Sequence, residues 1–99
     1  MRQGMVRYRV KPERVAENEL LVRAVYEELK AVGSDRFQYV TFKLDDGVSF
    51  VHLAMGEDGR GPLPRLEAFA RFQKDIAQRC DEPSVVTALT EIGSFGLRS

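Results

Sequence analysis

One cysteine, one histidine and no tryptophan in 99 residues exclude several kinds of protein before any pattern is sought. Cys80 alone forms no intrachain disulfide, and together with His52 it falls short of the four ligands of a tetrahedral zinc site. Net charge is missing as well: 15 basic side chains balance 15 acidic ones, so no overall field draws in nucleic acid or an anionic membrane. No apolar run approaches the ~20 residues that cross a bilayer, and the opening MRQGMVRYRV carries no apolar signal core. These absences lead to the expectation of a soluble, cytoplasmic protein with no metal, no cofactor, and neither a nucleic-acid nor a membrane partner.

What is present suffices for one core. With 43% apolar residues the chain reads as a single domain over 1–99, its ends at 1–4 and 96–99 expected to be flexible. Val6, Tyr8 and Val10 alternate with Met5, Arg7 and Arg9, the period of a half-buried strand over 5–10. The period then changes. Asn18, Leu21, Val22, Val25, Leu29 and Val32 recur at helical spacing with Gly33 just beyond, which predicts a helix over 13–32. RFQYVTFKL and VSFVHLAM flank Asp45-Asp46-Gly47, a hairpin signal. After the turn-rich loop GEDGRGPLP, the spacing of Leu66, Phe69, Phe72, Gln73, Ile76 and Cys80 predicts a second helix ending before Pro83, and SVVTALTEIGSF a fourth strand. The order βαββαβ implies an α+β, ferredoxin-like domain with a four-stranded antiparallel sheet and both helices on one face.

A two-residue hairpin loop at Asp46-Gly47 sets Phe42 opposite Val51, Val40 opposite Leu53, Thr41 opposite His52 and Tyr39 opposite Ala54. Apolar residues then meet apolar ones and mixed residues meet mixed ones, which a one-residue slip would scramble. The apolar set Val40, Phe42, Leu44, Val51, Leu53 and Met55 is the expected helix face. The mixed set Tyr39, Thr41, Lys43, Phe50, His52 and Ala54 is the expected outer face, together with Met5, Arg7 and Arg9. That outer face holds too much apolar surface to stand in water and calls for a second copy of the chain as its cover.

The chemistry-bearing residues are few. His52 is the candidate general acid or base, because its ordinary pKa lies near neutrality, and Tyr39 is its candidate catalytic partner. Arg7, Arg9, Thr41 and Phe50 are candidate ligand-binding residues beside them. The competing reading makes His52 a packed interface residue bonded to Thr41, and Tyr39 with the arginines ordinary interface side chains. Phe69 and Phe72 read as core residues that a pocket between helix and sheet would also use, and Cys80, on the same stripe, as an inert buried thiol. GEDGRG lacks both the Gly-Lys-Ser/Thr end of a P-loop and the spaced acids of an EF-hand.

The run YRVKPER into a long helix, then YVTFKLDDGVSFVHLAM, then LEAFARFQKDIAQRC resembles the dimeric α/β-barrel superfamily, and within it the antibiotic biosynthesis monooxygenase-like proteins. The resemblance implies a homodimer built through the sheet face, and a pocket in each subunit for a small apolar or aromatic ligand. It also implies cofactor-free oxygenation or isomerisation of an aromatic or polyketide-like compound. The oxygenase branches carry a tryptophan and an asparagine in the pocket. Here there is no tryptophan, and the sole asparagine, Asn18, falls on the first helix rather than the first strand, so no catalytic residue transfers by position. A non-catalytic ligand carrier or structural dimer is the alternative. Single-stranded RNA binding is a third reading, since RNA-recognition motifs share the topology. Asp46-Gly47-Val48-Ser49-Phe50-Val51-His52-Leu53 keeps only part of their third-strand pattern and lacks its basic and one aromatic residue.

Overall fold

The computed structural model describes residues 2–33, 36–56 and 60–96. Strand β1 (Arg2–Arg9) leads through a 3₁₀ turn at Pro12–Arg14 into helix α1 (Val15–Val32). Pro12 suits that first turn because its missing N–H has no partner there anyway. Gly33, at φ 73°, closes α1 by giving its N–H to the Leu29 carbonyl at 2.8 Å. Strands β2 (Phe37–Lys43) and β3 (Ser49–Gly56) form the hairpin. Its turn is held by Asp46, whose carboxylate accepts from the Val48 and Ser49 amides and from the Ser49 hydroxyl, and by Gly47 at φ 78°. A second 3₁₀ turn at Leu63–Arg65 precedes helices α2 (Glu67–Lys74) and α3 (Ile76–Arg79), and strand β4 (Val85–Leu89) completes a sheet of order β2-β3-β1-β4. Every pairing is antiparallel, which is the expected ferredoxin-like α+β architecture.

Several boundaries differ from the sequence expectation for local reasons. β1 starts at Arg2, so residues 2–4 pair with 54–56 instead of trailing outside the sheet. The expected flexible segment at 96–99 lies outside the described residues except for Gly96, as do residues 57–59 of the GEDGRG loop. β4 stops at Leu89, opposite Gln3, where β1 has almost run out of partner positions. Beyond it Ile92 and Phe95 stand 95% and 102% exposed. The second helix breaks at Asp75 into α2 and a single turn, α3, and Arg79 of α3 lies in the interior.

The hairpin register is as expected, Phe42 opposite Val51 and Thr41 opposite His52, but the helices cover the other face. β1 decides this. It pairs with β3 so that Tyr8 lies opposite Phe50 and Val6 opposite His52, and cross-strand partners share a face. Tyr8, Phe50 and His52 are therefore buried under α1 and α2 at 3%, 3% and 4% exposure, with Val10 fully enclosed. The apolar row Val40, Phe42, Val51, Leu53 and Met55 faces away, and Phe42 is 54% exposed. For the hairpin the expected helix face is the open face, while in β1 Val6 and Tyr8 face the helices, and Arg7 and Arg9 away from them, as expected.

Candidate functional site

The third strand reaches the interior through alternation: Phe50, His52 and Ala54 point toward the helices because Val51, Leu53 and Met55 point away. Around the imidazole the fold assembles a line of buried polar groups. Tyr8 Oη lies 2.7 Å from His52 Nε2, while Tyr39 Oη lies 2.7 Å and Thr41 Oγ1 3.1 Å from His52 Nδ1. Tyr26 Oη is 2.7 Å from Thr41 Oγ1. Behind Tyr8, Asn18 of α1 gives its amide Nδ2–H to the Tyr8 oxygen at 3.0 Å and takes Arg79 Nε–H on its Oδ1 at 3.1 Å. Arg79, only 1% exposed, also donates to the Phe72 carbonyl at 2.6 Å and lies over the Phe72 ring. Among the described residues no buried side-chain nitrogen or oxygen lacks a partner. That satisfaction is what allows so polar a row to sit in a core.

Burial sets the protonation states. Desolvation holds the His52 pKa down at about 4, so the ring is neutral at pH 7. The same cause pushes the Tyr8 and Tyr39 phenols well above their ordinary value, and both stay protonated. Around His52 the site is thus a set of neutral hydrogen-bonding groups, with the Arg79 guanidinium at the far end of the line. Aromatic packing fixes it: Tyr8 stacks on Phe50 at 5.6 Å, and His52 meets Phe72 at 5.3 Å.

His52 and Tyr39 open onto a cavity of about 550 Å³ between the sheet and helices α2 and α3. Small residues, Gly4 and Ala54, lie on its floor beside Val6, and Leu63, Phe69, Phe72 and Ile76 form the apolar wall opposite. Arg60 and Gln73 add polar groups to its lining. The volume lies in the range of small-molecule sites, and so does the pattern of apolar walls with few polar groups. Among the described residues no cluster of His, Cys, Asp and Glu could hold a metal ion. No helix there is long and apolar enough to cross a membrane.

The structure brings His52, Tyr39, Thr41 and Phe50 together and leaves Arg7 and Arg9 out. Both arginines lie on the opposite face of β1, because Arg7 pairs with Val51 and Arg9 with Ser49. They border a separate groove there, where Arg9 reaches Glu82 at 3.1 Å. Phe50 supports Tyr8 by stacking and does not line the cavity with His52. Phe69 and Phe72 are both core and cavity wall. The expectation missed Tyr8, Asn18 and Arg79 as members of the network. Asn18 carried a signal, being the one polar residue on the apolar stripe of α1, and so did Arg79, which falls seven residues after Phe72 and three after Ile76, on the stripe of the second helical period.

No protein-family model matches the chain, and no curated protein does. Solved structures do. An antibiotic biosynthesis monooxygenase superposes with TM-score 0.74 at 19% identity, covering 94% of this chain and all of that one (100%). A protein of unknown function from Nitrosomonas europaea gives 0.72 at 16%, covering 99% and 96%. A mutant form of SnoaB, a cofactor-independent oxygenase from Streptomyces nogalater, gives 0.69 at 14%, covering 97% of each chain. With its sheet order, two-helix cover and near-complete superposition, the chain has the ferredoxin-like fold of the antibiotic biosynthesis monooxygenase-like proteins.

Proposed function

We propose that the cavity binds a small aromatic compound bearing a carbonyl or phenolic oxygen, and that the chain acts on it as a cofactor-free oxygenase in a homodimer. The observation that carries this reading is the Tyr39–His52 pair, hydrogen-bonded at 2.7 Å and set into otherwise apolar, aromatic walls. Such walls select a flat apolar body, and the pair gives its oxygen a fixed seat. In a cofactor-free oxygenation the ionised substrate is itself the reductant. One atom of O₂ replaces two hydrogens on an activated ring carbon, and the other leaves as water. The chain's task is then to hold the ring, stabilise charge on its oxygen and keep bulk water out. The cofactor-independent oxygenase among the solved structures of this fold supports the assignment.

The dimer rests on the open face. Val40, Phe42, Val51, Leu53 and Met55 form an apolar patch continued by Val85 and Leu89, both exposed. Pairing two such faces about a two-fold axis would bury on the order of 1,500 Å² in total, as stable dimers do.

A carrier without catalysis has one observation in its favour: His52 and Tyr39 are both held neutral, and among the described residues no carboxylate lines the cavity. Native mass spectrometry of the purified protein, followed by oxygen-uptake measurements with phenols, anthrones and naphthols, separates the readings. A dimer that consumes oxygen with a bound aromatic compound supports the enzyme. Saturable binding without uptake selects the carrier, and a monomer with no ligand sinks both.

A further inference from the structure

The hydrogen-bond line through the core has a direction, and it can be read atom by atom. Arg79 Nε is only a donor, so Asn18 must present Oδ1 to it and Nδ2–H to Tyr8. The Tyr8 oxygen, having accepted from Asn18, has one proton left, and its remaining partner among the described residues is His52 Nε2 at 2.7 Å. Tyr8 therefore donates to Nε2. A neutral imidazole whose Nε2 accepts carries its proton on Nδ1, so His52 donates from Nδ1 toward Tyr39 Oη at 2.7 Å, with Thr41 Oγ1 more distant at 3.1 Å. The Tyr39 oxygen accepts in turn, and its own proton is left to swing between Thr41 and the cavity.

We propose that Asn18 is a positioning residue that sets the direction of this line, so that the cavity takes ligands through a hydrogen-bond acceptor, a ketone, quinone or phenolate oxygen, and discriminates against ligands offering only a donor. This deepens the function proposed above and rests on the cavity being a ligand site. Asn18 touches no ligand. It acts through Tyr8, His52 and Tyr39 from the far side of the core.

Asn18→Asp reverses the argument with one atom changed. A carboxylate at 18 still accepts from Arg79, but now accepts from Tyr8 as well. Tyr8 then has only lone pairs to offer His52 Nε2, the ring proton moves to Nε2, and Nδ1 accepts from Tyr39. Tyr39 is left with lone pairs facing the cavity, which favours donor ligands.

Because His52 is the sole histidine, ¹⁵N-histidine labelling reports its two ring nitrogens alone. At pH 7 the wild-type protein is expected to show a protonated Nδ1 and a bare Nε2, and Asn18→Asp the reverse. Titration with 1-indanone, an acceptor-only ligand, and indole, a donor-only ligand of similar shape, reads the consequence. The wild type should prefer indanone by about 3- to 10-fold, the equivalent of one net hydrogen bond, and Asn18→Asp should prefer indole. A wild-type ring protonated on Nε2, or a variant with unchanged tautomer, overturns the proposal without any ligand being needed. Matched affinities for the two probes overturn the specificity it assigns. If neither probe saturates while the tautomers behave as stated, the cavity is not a ligand site, and the failure belongs to the functional reading.

Discussion

The two faces of one sheet are built on opposite plans. The covered face holds Tyr8, Tyr39, Phe50 and His52 with the Thr41 hydroxyl, aromatic rings packed so that the polar atoms among them satisfy one another. The open face holds Val40, Phe42, Val51, Leu53 and Met55, which need no partner atoms but do need to leave water. Hydropathy alone assigns them the wrong way round. A polar group is buried at little cost when its partners are built in beside it, so the helices can cover the hydroxyl-rich face. An apolar face without polar atoms has no such internal solution, and what it loses in water is recovered only under another surface. In the function proposed above the covered face is the side assigned chemistry, and the open face the side assigned association.

The sharpest way to break that division is to charge the open face. In the proposed dimer, Leu53→Asp would place two carboxylates, related by the two-fold axis, in the interface. Burying charges without partners costs several kcal/mol, so dimer affinity should fall by on the order of 100-fold or more. Sedimentation velocity over a concentration series reads this directly, and the His52 ¹⁵N signals, on the other face, should not move. An unchanged dimer would put the interface elsewhere, while a shifted tautomer would mean the two faces are not independent.

The covered face should respond to pH instead. His52 titrates at about 4 in the folded protein against an ordinary value of 6.5, so between those limits the unfolded chain binds the proton and the folded one resists it. Stability is then complete above about pH 6.5, falls as the pH drops, and levels off below about 4, a loss on the order of 3 kcal/mol from this residue. Urea titrations at pH 7 and pH 4.5, at one protein concentration, give the slope. His52→Gln, which keeps a neutral polar side chain, should flatten it. A wild-type slope that survives in His52→Gln would assign the effect to other groups.

Much of this was legible in the chain and one part was systematically hidden. The element order and the hairpin register followed from periodicity and the Asp-Gly turn, because a wrong register would mix apolar with polar partners. That same test is blind to which face of the hairpin the helices take, since turning the hairpin over leaves its own cross-strand pairs intact. Only the pairing of Tyr8 with Phe50 and Val6 with His52 breaks the tie, and it is a long-range fact about β1 and β3. His52 and Tyr39 stood out as residue types, and the inverted face still left them together because they were neighbours on one face of the hairpin. Arg7 and Arg9 were lost with the inversion.

Within the covered face, the two tyrosines that flank His52 should differ in what they are worth. Tyr8→Phe removes the acceptor of Asn18 Nδ2 and the donor to His52 Nε2 together, leaving two groups unpaired in a closed core. A loss of about 2 kcal/mol in chemical denaturation is expected. Tyr39→Phe leaves His52 Nδ1 with Thr41 still in reach at 3.1 Å, and its hydroxyl borders the cavity rather than the closed core. Its cost should stay under about 1 kcal/mol, while indanone binding loses its preference over indole. Equal destabilisation by the two substitutions would mean that Tyr39 is as structural as Tyr8, and would take away the group through which the cavity meets its ligand.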